Sequence, residues 1–244
     1  MRVVSCTQGS QEWMEARCGM VTASRMSDVM AFLKKGGETQ SRANYRAEIL
    51  AEILTGQVAD HYVSPEMLFG IEQEPFARAA YELRSGNDVK EVGFIYHPSI
   101  ERCGASPDGL VGKDGGLEIK CPKTSTHLKW IAEGVVPAEH YDQIQTNMLC
   151  AGREWWDFVS FDPRLPRRYQ LFTVRVPRDE GRIAEINDGV RLFLHEVDRA
   201  IEALDAKFPE IEDAPVDSQL NAQLEESLRV LDEDILRVES SWRV

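Results

Sequence analysis

The sequence predicts a single α/β domain with a central mixed β-sheet flanked by helices, followed by an acidic C-terminal helix. Three observations carry that expectation. Helical periodicities at both ends bracket a middle region of short strand-like runs, "VGFIYH", "RCGAS" and "LEIK". Two longer strand-like runs, "EWWDFVSFD" and "RYQLFTVRV", follow two more helical segments. The tail then turns acidic. The chain, 244 residues long, has room for one such domain with a substantial core. The α/β domain is placed at 1–210 and the amphipathic extension at 211–244.

Taken in order, "TASRMSDVMAFL" reads as a helix opened by Thr22 as N-cap. "KKGGE" is expected to be a mobile basic loop. Helices follow near Ala43–Leu54 and Pro65–Arg84, the second with proline at a favourable first position. Asp114–Gly116 is read as the turn that pairs "GLV" with "LEIK". Helical patterns return at Ser125–Glu133 and Glu139–Leu149, and "PRLP" joins the two later strands. A long helix from Glu180 to Lys207 is expected to cover the sheet. In the tail, Leu224, Leu228, Leu231, Ile235, Val238 and Trp242 form a narrow apolar stripe. That stripe either packs on its own domain or docks on a neighbouring subunit or partner.

A composition of 43% hydrophobic and 28% charged residues is that of a soluble globular protein. No run of eighteen apolar residues argues for a membrane span, and "MRVVSCTQGSQEW" has no apolar core of signal-peptide length. The five cysteines form no CxxC pair or zinc-like cluster, so they read as reduced cytosolic thiols. A net charge of −13 argues at first against nucleic acid. However, Asp205 to Glu239 holds eleven acidic residues against three basic ones, and arginines cluster between Arg164 and Arg182. Charge leaves the partner open.

The chemistry-bearing stretch is "GASPDGLVGKDGGLEIKCP". On a strand, Glu118 and Lys120 point one way and Leu117 and Ile119 the other. Two residues span about 6–7 Å, room for an ion or a water between the head groups. Pro122 favours a strand that ends just after Lys120. If "GLV" pairs with "LEIK", Asp108 comes alongside Glu118, and two carboxylates with backbone or water oxygens suit Mg²⁺, or Mn²⁺ as a substitute. Lys120 would partner an attacking water or a phosphate, with a pKa lowered beside a divalent ion. A charged Asp and Glu-x-Lys on a strand is more often a solvated face; here the flanking proline, glycine and apolar residues point to a site.

These residues, with "ARCGMVTAS", "GIEQE", "YDQIQ" and "DPR" in order around them, resemble the PD-(D/E)XK nuclease superfamily. Specifically, they resemble its phage-recombinase branch, typified by bacteriophage lambda exonuclease. The likeness covers roughly Gln8 to Lys207. It implies Mg²⁺-dependent hydrolysis of double-stranded DNA ends from 5′ to 3′, releasing mononucleotides and leaving 3′ single-stranded overhangs. Under it, Asp108, Glu118, the Ile119 carbonyl and Glu74 would hold metal, and Lys120 would activate the water. Gln143 would position water or phosphate, with Gln145 too close in sequence to set aside. Arg17, Ser24 and Ser106 would hold the terminal 5′-phosphate, and Lys34 and Lys35 would contact the duplex backbone.

The resemblance further implies a homotrimeric ring, a phage single-strand annealing protein as partner, and a phage- or prophage-encoded enzyme in the bacterial cytoplasm. Two other readings stay open from sequence: a nuclease of the same superfamily that cuts internally or with other polarity, and a non-catalytic DNA-end clamp.

Overall fold

The computed structural model describes residues 1–58 and 64–209. The short strand β1 (Val3–Val4) precedes helix α1 (Gln11–Arg17), β2 (Val21–Thr22), a 3-10 turn at Ala23–Arg25 and the single-turn α2 (Met26–Val29). Helices α3 (Gln40–Thr55) and α4 (Pro65–Ser85) lead to β3 (Val89–Lys90), β4 (Phe94–Tyr96), β5 (Cys103–Ala105), β6 (Gly109–Val111) and β7 (Gly115–Lys120). Then come α5 (Thr124–Glu133), α6 (Ala138–Ala151), β8 (Trp155–Phe161), β9 (Leu171–Pro177) and α7 (Glu180–Lys207). Residues Met1–Ile201 form one compact unit. The apolar stripe from Leu224 to Trp242 lies outside the described residues.

The expected central sheet is two sheets. A larger one runs β3-β6-β7-β8-β9, and a smaller one runs β1-β4-β5-β2. Each contains one parallel pair, β7 with β8 and β2 with β5. The β7–β8 pair is parallel because α5 and α6 carry the chain back across one face before β8 begins. Gly115 and Gly116, read from sequence as the turn, are strand residues. A Cβ on Gly116 would lie 2.2 Å from the Trp156 ring, so glycine is required there by the close approach of β8.

Helix boundaries follow local chemistry. Ser64 Oγ accepts the Met67 N–H at 3.2 Å with Pro65 at the first position of α4, and Gly86 closes that helix in the left-handed conformation. Thr22 does not behave as expected. Its side chain makes no cap bond and the segment after it is a 3-10 turn plus one helical turn, because Thr22 is buried in the ladder with β5. Its hydroxyl lies 3.3 Å from Ser24 Oγ instead.

The core divides between the sheets. On one face of the larger sheet, Ala77 and Tyr81 of α4 pack on Leu117, Ile119 and Val159. On the other, Trp130 of α5 and Ile144 and Met148 of α6 pack on Trp156 and Phe158. Helix α7 does not cover this sheet. Its Ile186, Val190, Phe193 and Val197 pack with Val21, Cys103, Tyr45 and Ile49, against the smaller sheet and α3. The cysteines among the described residues are all unpaired.

Candidate active site

Strand β7 places the central charges. Alternation sends Leu117 and Ile119 to the α4 face and Glu118 and Lys120 to the α6 face. Glu118 is only 1% exposed, too buried for a solvated charge. Lys120 is the last residue of β7, so the pair sits at the carboxyl end of a parallel strand, where open α/β sheets commonly build sites. The β6–β7 register stops at Gly109↔Leu117, which leaves Asp108 facing Glu118 just beyond the ladder. Asp108 continues the ladder with its side chain: its Oδ2 accepts the Ile119 N–H at 2.6 Å.

Glu118 is gripped by donors. Lys120 Nζ and Gln143 Nε2 each donate to Oε1 at 2.6 Å, and Asn147 Nδ2 donates to Oε2 at 2.9 Å. This separates the two glutamines. Gln143 meets the carboxylate, whereas Gln145, fully buried, donates to the Pro177 carbonyl and accepts the Asp179 N–H, joining α6 to the segment after β9. Glu74 comes from α4, where Pro75 removes a backbone donor beside it, and accepts from Arg78 Nη2 at 2.6 Å. Glu74, Asp108, Ile119 and Lys120 line one cavity of about 370 Å³, together with Trp130 and Met67.

The electrostatics are those of crowded carboxylates. Burial, then the charge of Glu118 with Glu74 adding, pushes Asp108 well above the usual carboxylate range against the pull of Lys120 and the Ile119 N–H. Burial also raises Glu74, opposed by Arg78 and assisted by Glu118. For Lys120, burial works against the ammonium, but Glu118, Asp108 and Glu74 outweigh it and hold the group above its ordinary value. His140, one turn before Gln143, is pushed down to about 3 by burial and then by Lys120, and its ring stacks on Phe158 with centroids 5.5 Å apart.

This donor set suits a hard divalent cation. Carboxylates that burial and mutual repulsion drive toward protonation are groups that a cation would relieve, and their oxygens are the ligands such ions prefer. Among the described residues no three His, Cys, Asp or Glu side chains form a ready-made cage. Mg²⁺ does not require one, since it keeps several waters and takes one or two carboxylates.

A second cavity, of about 410 Å³, is lined by Trp13, Arg17, Thr22, Ser24, Arg25 and Met67 among others, so it meets the first at Met67. Arg17 Nη1 donates to Ser106 Oγ at 3.1 Å and Trp13 Nε1 to the same oxygen at 2.9 Å, with the Arg17 guanidinium 4.1 Å over the Trp13 ring. The structure thus brings Arg17, Ser24 and Ser106 to one place. Burial lowers the pKa of Arg17, partly offset by Tyr45 and Glu52, and Glu48 and Glu52 also line this cavity. Ser24 lies in a three-residue 3-10 turn rather than the first turn of a long helix. Gln8 Nε2 donates to the carbonyls of Pro107 and Val92, pinning the loop that carries Ser106 and Asp108. Lys34 and Lys35 are exposed beside Gly36 and Gly37 in the turn bridged by Phe32 and Glu38, and they border neither cavity.

Sequence reasoning missed Asn147, Gln8, Trp13 and Trp130. The spacing of Gln143 and Asn147, one helical turn apart, was the available signal for the first.

Residues 12–154 match the YqaJ-like viral recombinase domain. The structure of LHK-Exo in complex with dAMP is 47% identical, with a TM-score of 0.76, over 81% of this chain and 97% of that one. A second structure, of an alkaline exonuclease (LHK-Exo) from Laribacter hongkongensis, is 47% identical with a TM-score of 0.75 over the same shares. A phage related exonuclease from Haemophilus somnus 129PT, 18% identical, shares the fold with a TM-score of 0.61 over 76% of this chain and 96% of that one. No curated protein matches at a significant level. The chain belongs to the YqaJ-like viral recombinase domain family, and its architecture is that of a lambda-exonuclease-type PD-(D/E)XK nuclease.

Proposed function

We propose that this chain is a Mg²⁺-dependent 5′→3′ exonuclease that degrades the 5′-terminated strand of double-stranded DNA ends to mononucleotides. One observation carries the reading. Ser106 and Asp108 lie two residues apart on one loop, Ser106 bonded to Arg17 in the second cavity and Asp108 lining the first. That spacing, about 6–7 Å in extended chain, suits a terminal phosphate in one pocket and the next phosphodiester in the other. Family membership and the two LHK-Exo structures support a DNA exonuclease in the coarser sense.

In this reading Asp108, Glu118, the Ile119 carbonyl and Glu74 hold the metal, Mg²⁺ or Mn²⁺ in its place. Bound there, the ion would polarise the phosphate and lower the pKa of a water. Lys120 orients and activates the attacking water, and Gln143 keeps Glu118 and the water or phosphate aligned. Arg17 clamps the 5′-phosphate with Ser24 and Ser106 as neutral donors, while Lys34 and Lys35 contact the duplex backbone. A homotrimeric ring would let an acidic chain present a basic channel to DNA. The 3′ overhangs would pass to a phage single-strand annealing protein in the host cytoplasm. Among the described residues no helix is long and apolar enough to cross a membrane.

The test is a linear duplex labelled at either end of each strand, incubated with and without Mg²⁺. Mononucleotides are expected from the 5′-phosphorylated strand, abolished by EDTA. Arg17→Ala is expected to remove the preference for phosphorylated ends. Internal cuts, release from the 3′ end, or binding without hydrolysis would each sink this reading.

A further inference from the structure

The grip on Glu118 is asymmetric. Its Oε1 receives Lys120 and Gln143, but its Oε2 is bonded by Asn147 alone among the described residues. Asn147 is 1% exposed, and its Oδ1 has no hydrogen-bond partner among the described residues. A buried carbonyl without a partner is costly, and an apolar side chain of the same shape would avoid that cost. Packing alone therefore gives no reason for asparagine at this position. The amide orientation is also fixed: turned over, its carbonyl would face a carboxylate oxygen, acceptor against acceptor.

The terminal torsion of a glutamate is broad and roughly two-fold, so pinning one oxygen does not set the plane of the carboxylate. Pinning both does. We infer that Asn147 is a positioning residue for hydrolysis: by holding Oε2 from one turn further along α6, it fixes the plane of Glu118 while Oε2 keeps room for a second partner. The inference rests on the nuclease reading above and adds a residue to it. A carboxylate so held offers a single oxygen, which suits the strict octahedral demand of Mg²⁺ better than the two-oxygen grip that larger ions accept.

The test uses the full-length chain with Asn147→Leu, close in shape, and Asn147→Ala, neither with a side-chain donor. Both are expected to lower kcat on linear duplex by about 10–100-fold and to raise the half-saturating Mg²⁺ concentration by a similar factor. KM for DNA ends is expected to stay unchanged. The same rise in half-saturation is expected in a second measurement, the increase in melting temperature produced by Mg²⁺ without DNA.

If either folded variant keeps wild-type kcat and wild-type Mg²⁺ half-saturation while only its melting temperature falls, Asn147 is a packing residue and the inference is overturned. If one variant does not fold, the other decides. Failure of the parent reading looks different: wild-type protein would then release no nucleotides with Mg²⁺, whereas the thermal measurement would still compare wild type with the variants.

Discussion

Two buried carboxylates stand on adjacent strands of the same sheet and differ in almost everything but burial. Asp157 of β8 is 4% exposed and Glu118 of β7 is 1% exposed; they point to opposite faces. Asp157 is matched in full. Arg175 donates to both of its oxygens at 2.8 Å, and Tyr81 Oη adds a third bond at 2.7 Å. A planar guanidinium and a carboxylate balance in charge and in geometry, which is what a structural pair needs. Glu118 instead shares one ammonium with Asp108 and, more weakly, with Glu74, which has Arg78 of its own, and is otherwise held by neutral amides. Balance suits a scaffold, whereas surplus negative charge suits the proposed cation site.

That contrast is broken most severely at Lys120. Lys120→Ala removes the group proposed to orient and activate the water, so nuclease activity is expected to fall on the order of 10³-fold. Some stability should be lost too, because the buried Glu118 loses its counter-charge, but Lys120 is a strand-end residue outside the apolar clusters and the fold should form. Single-turnover rates with a circular dichroism check of the fold measure both. Activity that persists would remove Lys120 from the mechanism.

Arg175→Ala should do the reverse. It strips the buried Asp157 of its counter-charge and is expected to cost roughly 2 kcal/mol of stability, less than a fully buried pair because Arg175 is 54% exposed. Chemical denaturation reads that loss, while kcat per folded molecule should hold near wild type. If kcat collapsed along with stability, the two faces of the sheet would not be separable as scaffold and site.

A smaller probe of the same balance is Tyr81→Phe. It deletes one hydrogen bond to Asp157 and is expected to cost about 1 kcal/mol. Tyr81 lies two turns after Glu74 on α4, so the bond also anchors the helix that delivers Glu74. A small rise in half-saturating Mg²⁺ with unchanged kcat is therefore expected as well. Unaltered Mg²⁺ dependence would confine Tyr81 to the scaffold.

How much of this was legible in sequence depended on whether the determinant was local. Glu118, Lys120 and Asp108 could be read because strand alternation, a proline stop and a tight hairpin fix them within a few residues. The division between Gln143 and Gln145 could not, since both look polar on a helix until the sheet decides which side each faces. The same is true of Asn147, and of the glycines at 115 and 116, whose reason is a pair of tryptophans on a strand forty residues away. The second sheet was hidden because β2 is two residues long and is a strand only by pairing with β5. Thr22 resembled a cap for the same reason: local propensity spoke for a helix, and the tertiary ladder won.

The most direct reading of surplus charge is the pH dependence of Asp108→Asn. Burial and Glu118 raise the folded-state pKa of Asp108, and Glu74 is raised too. Above the ordinary carboxylate range the unfolded chain has therefore lost protons that the folded chain still holds. Stability must fall as pH climbs from that range through the elevated values. Asp162 and Glu38 are lowered by their arginines and act in a separate, more acid window, where stability rises with pH. An asparagine at 108 can still accept the Ile119 N–H, so the substitution removes the charge and keeps the bond.

In EDTA, Asp108→Asn is thus expected to melt higher than wild type, with the gap widening as pH rises. Adding Mg²⁺ should reverse the order, because wild type gains a ligand that the variant binds poorly. Melting curves that stay parallel across pH would mean that the carboxylates at the end of β7 are as well balanced as Asp157, and the difference between the two faces would not hold.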